Sequence, residues 1–553
     1  MVKPFSGLQR EASLKNMTQG TLDILVIGGG ITGAGIALDA VSRGLNTGLV
    51  EMQDYAAGTS SRSTKLVHGG LRYLKQFEFG IVKETGQERA IVYENAPHVT
   101  KPEWMMLPIV KGGTYGKLAS SVGLKVYDTL AGVKKHERRQ MLNKKETMEK
   151  EPLLREEGLK GSGYYVEYKT DDARLTLETL KEAVHRGANA VNYTKAETLL
   201  YENGKVIGAR IKDLRSGETY DVHAKHVVNA AGPWVDDLRE KDKSKKGKYL
   251  HLTKGVHIVF DQSRFPLKQA VYFDTDDGRM VFAIPRAGKT YVGTTDTHYT
   301  EEIATPRMTE ADMDYLVRAS NAMFPSMDIK REDVESSWSG LRPLIHEEGK
   351  SASEISRKDE TFVSDSGLIS IAGGKLTGYR KMAERIVDMI VKEEGIKKKC
   401  ITDKIKLSGG DVGGSAKLES FVRHAAEEGV RLGLAPAEAD RLANLYGSNV
   451  SRVFEIIETQ GSEAENYGLP VGVFASLVYG IEEEMVVSPI DFFNRRTAAL
   501  FFDIDFVQEY KENVITYMDS RYHWSEEEKQ KHRDLLEEEI YYAIHPVETK
   551  EKN

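Results

Sequence analysis

Apolar residues fall in short strand-like bursts along most of the chain and at helical spacing beyond about Gly410, and this change of period outlines the architecture. Residues 1–20 are polar without strong periodicity and suit an arm or a short extra helix. The first burst, Asp23–Ile27 (DILVI), has the β-branched character of a strand buried on both faces. It runs directly into GGGITGAGIALDAVSRG, a glycine turn followed by a helix ending at Gly44, and Thr47–Glu51 (TGLVE) reads as a second strand ending in an acid. After a polar stretch from Glu146, a helix is predicted over Leu175–Arg186, with ANAVNYT as a return strand. Lys205–Asp213 and Thr219–Val228 read as a hairpin turning at Ser216-Gly217 and running into NAAGPW. Tyr249–Thr295 alternates apolar and polar residues in several short strands, the pattern of an antiparallel sheet that floors a pocket. A strand at Leu368–Ala372 leads into GGKLTGY and an amphipathic helix over Arg380–Lys392. In the helical remainder, Ser525 and Glu528 have the spacing of a capping box opening the last long helix.

The pattern predicts a mixed α/β protein in interleaved units. These are an arm (1–20), a nucleotide-binding unit (21–250), a mainly antiparallel sheet (251–345), a return to the first unit (346–405) and a helical cap (406–553). At 553 residues the chain is too long for one core. Its net charge of −7 argues against a general nucleic-acid binder. A single cysteine, Cys400, excludes an internal disulfide framework and a CxxC redox pair. The apolar stretch Leu22–Val41 is broken by glycines, Asp23 and Asp39, so it is not read as a membrane span, and a cytoplasmic protein is expected.

The chemistry concentrates in the glycine turn. Gly28-x-Gly30-x-x-Gly33 sits between a predicted strand and helix, with Glu51 at the end of the next strand. Gly28 permits the tight turn, Gly30 lets amides approach a pyrophosphate, Gly33 allows close helix–strand packing, and the helix N-terminus attracts the phosphates. Glu51 can accept hydrogen bonds from a ribose diol. Two later segments favour FAD over NAD. HVVNAAGPW (226–234) ends in small residues suited to passing beneath a dinucleotide, and IAGGKLTGY (371–379) is a second strand–glycine–helix unit, with Lys375 beside a helix N-terminus able to stabilise a reduced flavin.

The run TSSRSTKLVHGGLRYL, Thr59–Leu74, closely resembles the signature of the FAD-dependent glycerol-3-phosphate dehydrogenases, and the order of the motifs matches that family. The resemblance is strong over Leu22–Lys392 and weaker beyond, through segments such as SPIDFFNRRTAALFF. Thr64 stands where a serine is common, which keeps the hydroxyl. The resemblance implies a Rossmann-type FAD-binding domain of the glutathione-reductase and D-amino-acid-oxidase type, an antiparallel-sheet substrate domain and a C-terminal helical domain. The implied reaction is oxidation of sn-glycerol 3-phosphate to dihydroxyacetone phosphate, with electrons leaving through FAD to a membrane quinone.

The resemblance also implies site residues. Around the cofactor it points to Gly28, Gly30, Ile31, Thr32 and Gly33, to Glu51, to Thr59, Ser60, Ser61 and His68, and to Ala231, Gly232, Gly374, Leu376 and Thr377. Arg72, Arg357 and Lys375 are the expected phosphate partners, with Tyr73 and Arg342 nearer the carbon skeleton. Oxidation at C2 needs a proton acceptor, and His257 in KGVHIVF is the first candidate, although a core histidine is the alternative. Arg342 is expected to stabilise the developing alkoxide; His68 serves either as a second base candidate or the flavin. Thr294, Thr295 and Asp296 form a polar strand end that either orients pocket groups or is structural. No metal-ligand spacing is recognised.

A quinone acceptor implies contact with an anionic bilayer surface, peripheral on the inner face of the cell membrane. Between Tyr115 and Arg139, Leu118, Val122, Val126, Leu130 and Val133 share a helical face amid lysines and arginines, as in an interfacial helix; a core helix with a solvated end is the alternative. The helical domain is open to a regulatory, homodimer-forming or partner-recruiting role. Two rival activities keep FAD: an oxidase of the same substrate that reduces oxygen, and an amine or amino-acid oxidase. A third reading is a non-catalytic flavin-binding protein.

Overall fold

In the computed structural model, residues 5–68, 79–112, 138–349 and 358–549 are described. Arg72, Tyr73, Arg357 and most of the Tyr115–Arg139 segment lie outside them.

The strand Thr21–Ile27 lies at the centre of the first sheet, with Thr47–Val50 and Thr219–Asn229 parallel on its two sides. Its period-2 alternation is used on both faces. Ile24 and Val26 pack with Ile36, Leu177 and Ile386 on one side, while Leu25 and Ile27 pack with Leu14, Met17 and Val227 on the other. The helices Ile31–Ser42, Asp172–His185 and Tyr379–Glu393 supply the first of these layers. Ile27 is level with Val50 and Asn229 in the register, so three strands end together beneath the glycine turn. Such level carboxyl ends are where doubly wound sheets bind ligands.

The short N-terminal segment forms a helix, Arg10–Met17, docked on this sheet. Arg10 donates to the Asn192 carbonyl at 3.0 and 2.6 Å and pairs with Asp213 at 2.7 Å. The hairpin Lys205–Asp213 with Thr219–Asn229 forms as expected. The return strand is shorter than predicted, Asn189–Val191, because the chain reverses at Tyr193 (φ 49°). A further strand, Thr194–Glu202, then pairs with Lys205–Asp213 across Asn203-Gly204, both at positive φ. That Asn-Gly pair is a hairpin signal missed in the sequence.

The second sheet is built on Lys248–Asp261, which pairs with Ser336–Glu347 from Lys248↔Glu347 to Val259↔Ser336 and with Lys289–Gly293 on its other side. It continues through Met280–Arg286 and Ala270–Asp274 to Thr100–Val110, Leu159–Thr170 and Leu66–Val67. All these pairings are antiparallel except Ala270–Asp274 with Thr100–Val110. The sheet therefore draws strands from both sides of the 251–345 stretch.

Helices fill the chain from Leu418 to Ile544, and the last of them, Glu526–Ile544, opens with the capping box of Ser525 and Glu528. This domain packs Phe501 and Phe502 against Trp338 of the second sheet, at ring separations of 5.2 and 5.5 Å. No helix among the described residues is long and apolar enough to cross a membrane.

The tightest point in the first sheet is the glycine turn: a Cβ on Gly33 would lie 1.9 Å from the Gly28 carbonyl oxygen. Gly33→Ala is therefore expected to destabilise the protein by about 1–3 kcal/mol through overpacking, read as a lower urea midpoint. An unchanged midpoint would contradict the close approach.

Candidate functional site

Two cavities lie side by side, the first above the level strand ends. The first, about 350 Å³, is lined by Gly28, Gly30, Ile31 and Thr32, by Glu51, by Thr59 and Ser60, and by Ala231, Gly232, Gly374 and Leu376. The second, about 430 Å³, lies over the antiparallel sheet and is lined by His68, His257, Arg342, Lys375 and Thr377. Thr59, Ser63, Pro343, Gly374, Lys375 and Leu376 line both, so the cavities meet at a shared wall.

Close backbone approach shapes the first cavity. A Cβ on Gly28 would sit 2.4 Å from the Ala230 carbonyl oxygen, and Gly28 adopts φ 118°. The helix Ile31–Ser42 starts at Gly30, which has no side chain of its own to cap it. Its Ile31 N–H donates to Ser60 Oγ at 2.9 Å, which ties the Thr59–Ser61 turn to the helix start. Glu51 accepts from the Gly29 amide at 2.6 Å and the Gln53 amide at 2.8 Å. Burial raises its pKa, with the nearby Asp54 charge acting in the same direction against those amides. Gly33 lies beneath the turn and not on the cavity wall. Ser61 is buried, and its carbonyl accepts from Lys65 at 2.9 Å. His68 and Thr377 belong to the second cavity, joined by Thr377 Oγ1 donating to the His68 carbonyl at 3.0 Å.

The hydroxyl-rich loop Thr59–Leu66 is fixed from below by Asp172, the first residue of a helix. Asp172 accepts from the Ser63 amide at 3.0 Å, Ser63 Oγ at 2.7 Å and Lys65 Nζ at 2.6 Å. From above, Thr59 Oγ1 donates to the Leu341 carbonyl at 2.8 Å, and Trp338 Nε1 to the Ser63 carbonyl at 3.1 Å. The loop thereby carries Thr64 to His257, whose Nε2 is 3.0 Å from Thr64 Oγ1.

His257 stacks on Trp338 at 4.7 Å and 10° between ring planes, and its buried Nδ1 has no protein partner. Gly293 stands opposite in the register, and a Cβ there would come within 2.2 Å of the imidazole. Burial first, then the charges of Arg342 and Lys65, hold the His257 pKa far below the ordinary histidine range, so the ring is neutral near pH 7. His68 is pushed down to about 3 by burial and by Lys375 and Arg89. Arg342 donates to Thr294 Oγ1 at 3.0 Å and to the Thr295 carbonyl and Asp296 Oδ1, both at 3.3 Å. The polar strand end thus orients the arginine.

The sequence reading missed several wall residues. Lys195 and Ala196 line the far end of the first cavity, beside Asp237 and Lys241. Their signal was register: the Glu51 backbone N–H donates to the Val191 carbonyl at 3.0 Å, so the return strand ends beside the acid. In the second cavity, Arg62 and the stacked pair Tyr272 and Phe282, 4.1 Å apart, were likewise missed.

The sequence pattern of the FAD dependent oxidoreductases matches residues 23–380, and that of the C-terminal domain of alpha-glycerophosphate oxidase matches residues 400–529. The aerobic glycerol-3-phosphate dehydrogenase of Bacillus subtilis (strain 168) is 61% identical over 549 residues, covering 98% of this chain and 99% of the relative. The protein of that name from Staphylococcus epidermidis is 56% identical over 551 residues, 98% of each chain. The chain belongs to the FAD-dependent oxidoreductases, with the aerobic glycerol-3-phosphate dehydrogenases. Among solved structures, the glycerol-3-phosphate dehydrogenase of Bacillus halodurans complexed with FAD superposes with a TM-score of 0.87 at 54% identity, covering 99% of this chain and 100% of that one. The L-alpha-glycerophosphate oxidase of Mycoplasma pneumoniae, at 18% identity and TM-score 0.56, shares the fold.

The cofactor of this family is FAD, and the first cavity fits it. A Cβ on Gly28 would be excluded by the Ala230 backbone and one on Gly373 by the Lys358 carbonyl, the helix N-terminus faces the cavity with its first N–H held by Ser60 Oγ, and Glu51 stands at the strand end. Lys375 lies where the two cavities meet, at the start of the turn Leu376–Gly378.

Because Lys65 and Asp172 are both buried, Asp172→Ala would leave an uncompensated ammonium under the loop. The expected loss is about 3–5 kcal/mol in urea unfolding of the flavin-loaded protein. A loss below about 1 kcal/mol, the worth of a surface pair, would contradict this support.

Proposed function

We propose that the protein oxidises sn-glycerol 3-phosphate to dihydroxyacetone phosphate and passes the electrons to a membrane quinone. The observation that carries this reading is the second cavity, in which a neutral imidazole, Arg342 and Lys375 converge beside the cofactor cavity. When bound, FAD supplies the hydride acceptor and the electron store from which a quinone is reduced. His257 takes the proton of the C2 hydroxyl, with Thr64 Oγ1, 3.0 Å from its Nε2, fixing the ring. Arg342, held by Thr294, Thr295 and Asp296, stabilises the oxygen as it loses that proton.

Lys375 binds the phosphate together with Arg72 and Arg357, and Tyr73 contacts the carbon skeleton. Several cations suit a phosphate dianion better than a carboxylate, which disfavours the amine and amino-acid oxidase reading. Electron transfer to a quinone requires the protein to reach the bilayer, and in this reading it sits at the cytoplasmic face with the basic segment Tyr115–Arg139 against anionic lipid. A homodimer is compatible with this arrangement.

With substrate, air and a soluble quinone analogue present, quinol is expected to form in step with substrate consumed, with peroxide a minor product. Peroxide matching substrate consumption would move the assignment to an oxidase.

His257→Asn is expected to retain flavin and lose about 10²–10⁴-fold in kcat. A base must be deprotonated, and a depressed pKa keeps His257 so as pH falls. The acid limb of kcat/KM should therefore lie below the ordinary histidine value of 6.5. Arg342→Met removes a positive charge that depresses that pKa, so the limb should move to higher pH. A limb unmoved by the substitution would remove His257 from the role of base.

A further inference from the structure

Among the described residues, none beyond Met382 lines either cavity, yet the helical domain reaches the cofactor-binding loop through buried charge. Asp54 sits in the loop between Glu51 and Thr59, two residues on the cofactor cavity wall, and is 1% exposed. Its carboxylate accepts from Arg495 Nε at 2.5 Å, from Arg496 Nη1 and Nη2 at 2.6 and 2.9 Å, and from Asn192 Nδ2 at 3.1 Å. Both arginines end the π-helical turn Asp491–Arg496, itself buried.

The arginines are held in turn. Arg496 donates to the Glu484 carbonyl at 2.7 Å, and Arg174 of the first domain donates to the Arg496 carbonyl at 3.0 Å. The Glu484 carboxylate accepts from Arg174 and, at 3.1 Å, from Lys181. Asp491 accepts from Arg495 at 2.8 Å and Tyr193 at 2.6 Å. Burial pushes the Asp54 pKa up, but Arg496 and Arg495 outweigh it and hold the carboxyl below the ordinary range.

The residue after Asp54 extends the link to the glycine turn. Tyr55 donates to Met485 Sδ at 3.3 Å, and a Cβ on Gly29 would meet its ring at 2.7 Å. Tyr55 is thus wedged between the helical domain and the turn that faces the pyrophosphate. A buried carboxylate with several charge-assisted donors has few alternative positions, because any of them leaves charge uncompensated.

We infer that Arg495 and Arg496 are positioning residues for the cofactor: by fixing Asp54 they hold the Glu51–Thr59 loop in its FAD-binding form. FAD affinity and the order of residues 484–496 are therefore coupled, and the coupling is reciprocal. The inference rests on FAD as cofactor and is independent of the substrate.

Arg496→Met is expected to weaken FAD binding to the apoprotein by about tenfold or more, within the usual range of such couplings. With FAD saturating, KM for the substrate should be unchanged, and Arg496→Lys should recover part of the affinity. Adding Asp54→Asn to Arg496→Met should weaken FAD binding by less than the product of the single effects, since both act through one contact. A soluble Arg496→Met protein with unaltered FAD affinity would overturn the inference. Hydrogen exchange on the wild-type protein decides the matter even where variants fail to fold. FAD should slow exchange at 484–496 while leaving Leu418–Arg431 unaffected. Exchange at 484–496 indifferent to FAD, or slowed equally in both segments, would also overturn it.

Discussion

The structure depends on one close approach: the glycine turn after the central strand passes against the Ala230 carbonyl oxygen, where a Gly28 Cβ would sit at 2.4 Å. This contact brings the end of Thr219–Asn229 beneath the turn and lets the helix Ile31–Ser42 begin directly over the strand ends. A side chain at Gly28 or Gly33 would lift the helix N-terminus off the site, and with it the field that favours pyrophosphate. The second glycine unit, with Gly373 and Gly374 at φ 73° and 83°, closes the site from the opposite side.

Around that contact the two sheets divide the work. The parallel sheet presents backbone and one acid to the dinucleotide, which needs close approach more than side-chain chemistry. The antiparallel sheet presents side chains that are individually adjusted by burial. His257 stays neutral because an imidazolium between Trp338, Arg342 and Lys65 would be both desolvated and repelled. The hydroxyl-rich loop Thr59–Leu66 joins the systems: Thr59 and Ser63 fix it to Leu341 and Asp172, so Thr64 reaches His257 in a defined geometry.

Much of this was legible in the sequence because it is local. The Asp23–Ile27 burst, the glycine spacing and the Ser525 capping box need only neighbouring residues, and each formed within a residue or two of its expected bounds. The strands Thr100–Val110 and Leu159–Thr170 were not recognised, since prolines and glycines interrupt their pattern and their pairing is set by tertiary contact. Lys195 reached the cofactor cavity through strand register, which no local motif reports. The pairing of Asp54 with Arg495 and Arg496 joins positions more than four hundred apart, and charges are more often solvated than buried. Arg72, Tyr73 and Arg357 rest on the family signature alone, outside the described residues.

The measurement that bears most directly on the central claim is anaerobic addition of sn-glycerol 3-phosphate to the flavin-loaded protein, followed at the flavin absorbance band. The account predicts bleaching with this enantiomer and none with the opposite enantiomer or with glycerol. A flavin that stays oxidised with sn-glycerol 3-phosphate yet is reduced by an amine or amino acid would contradict it.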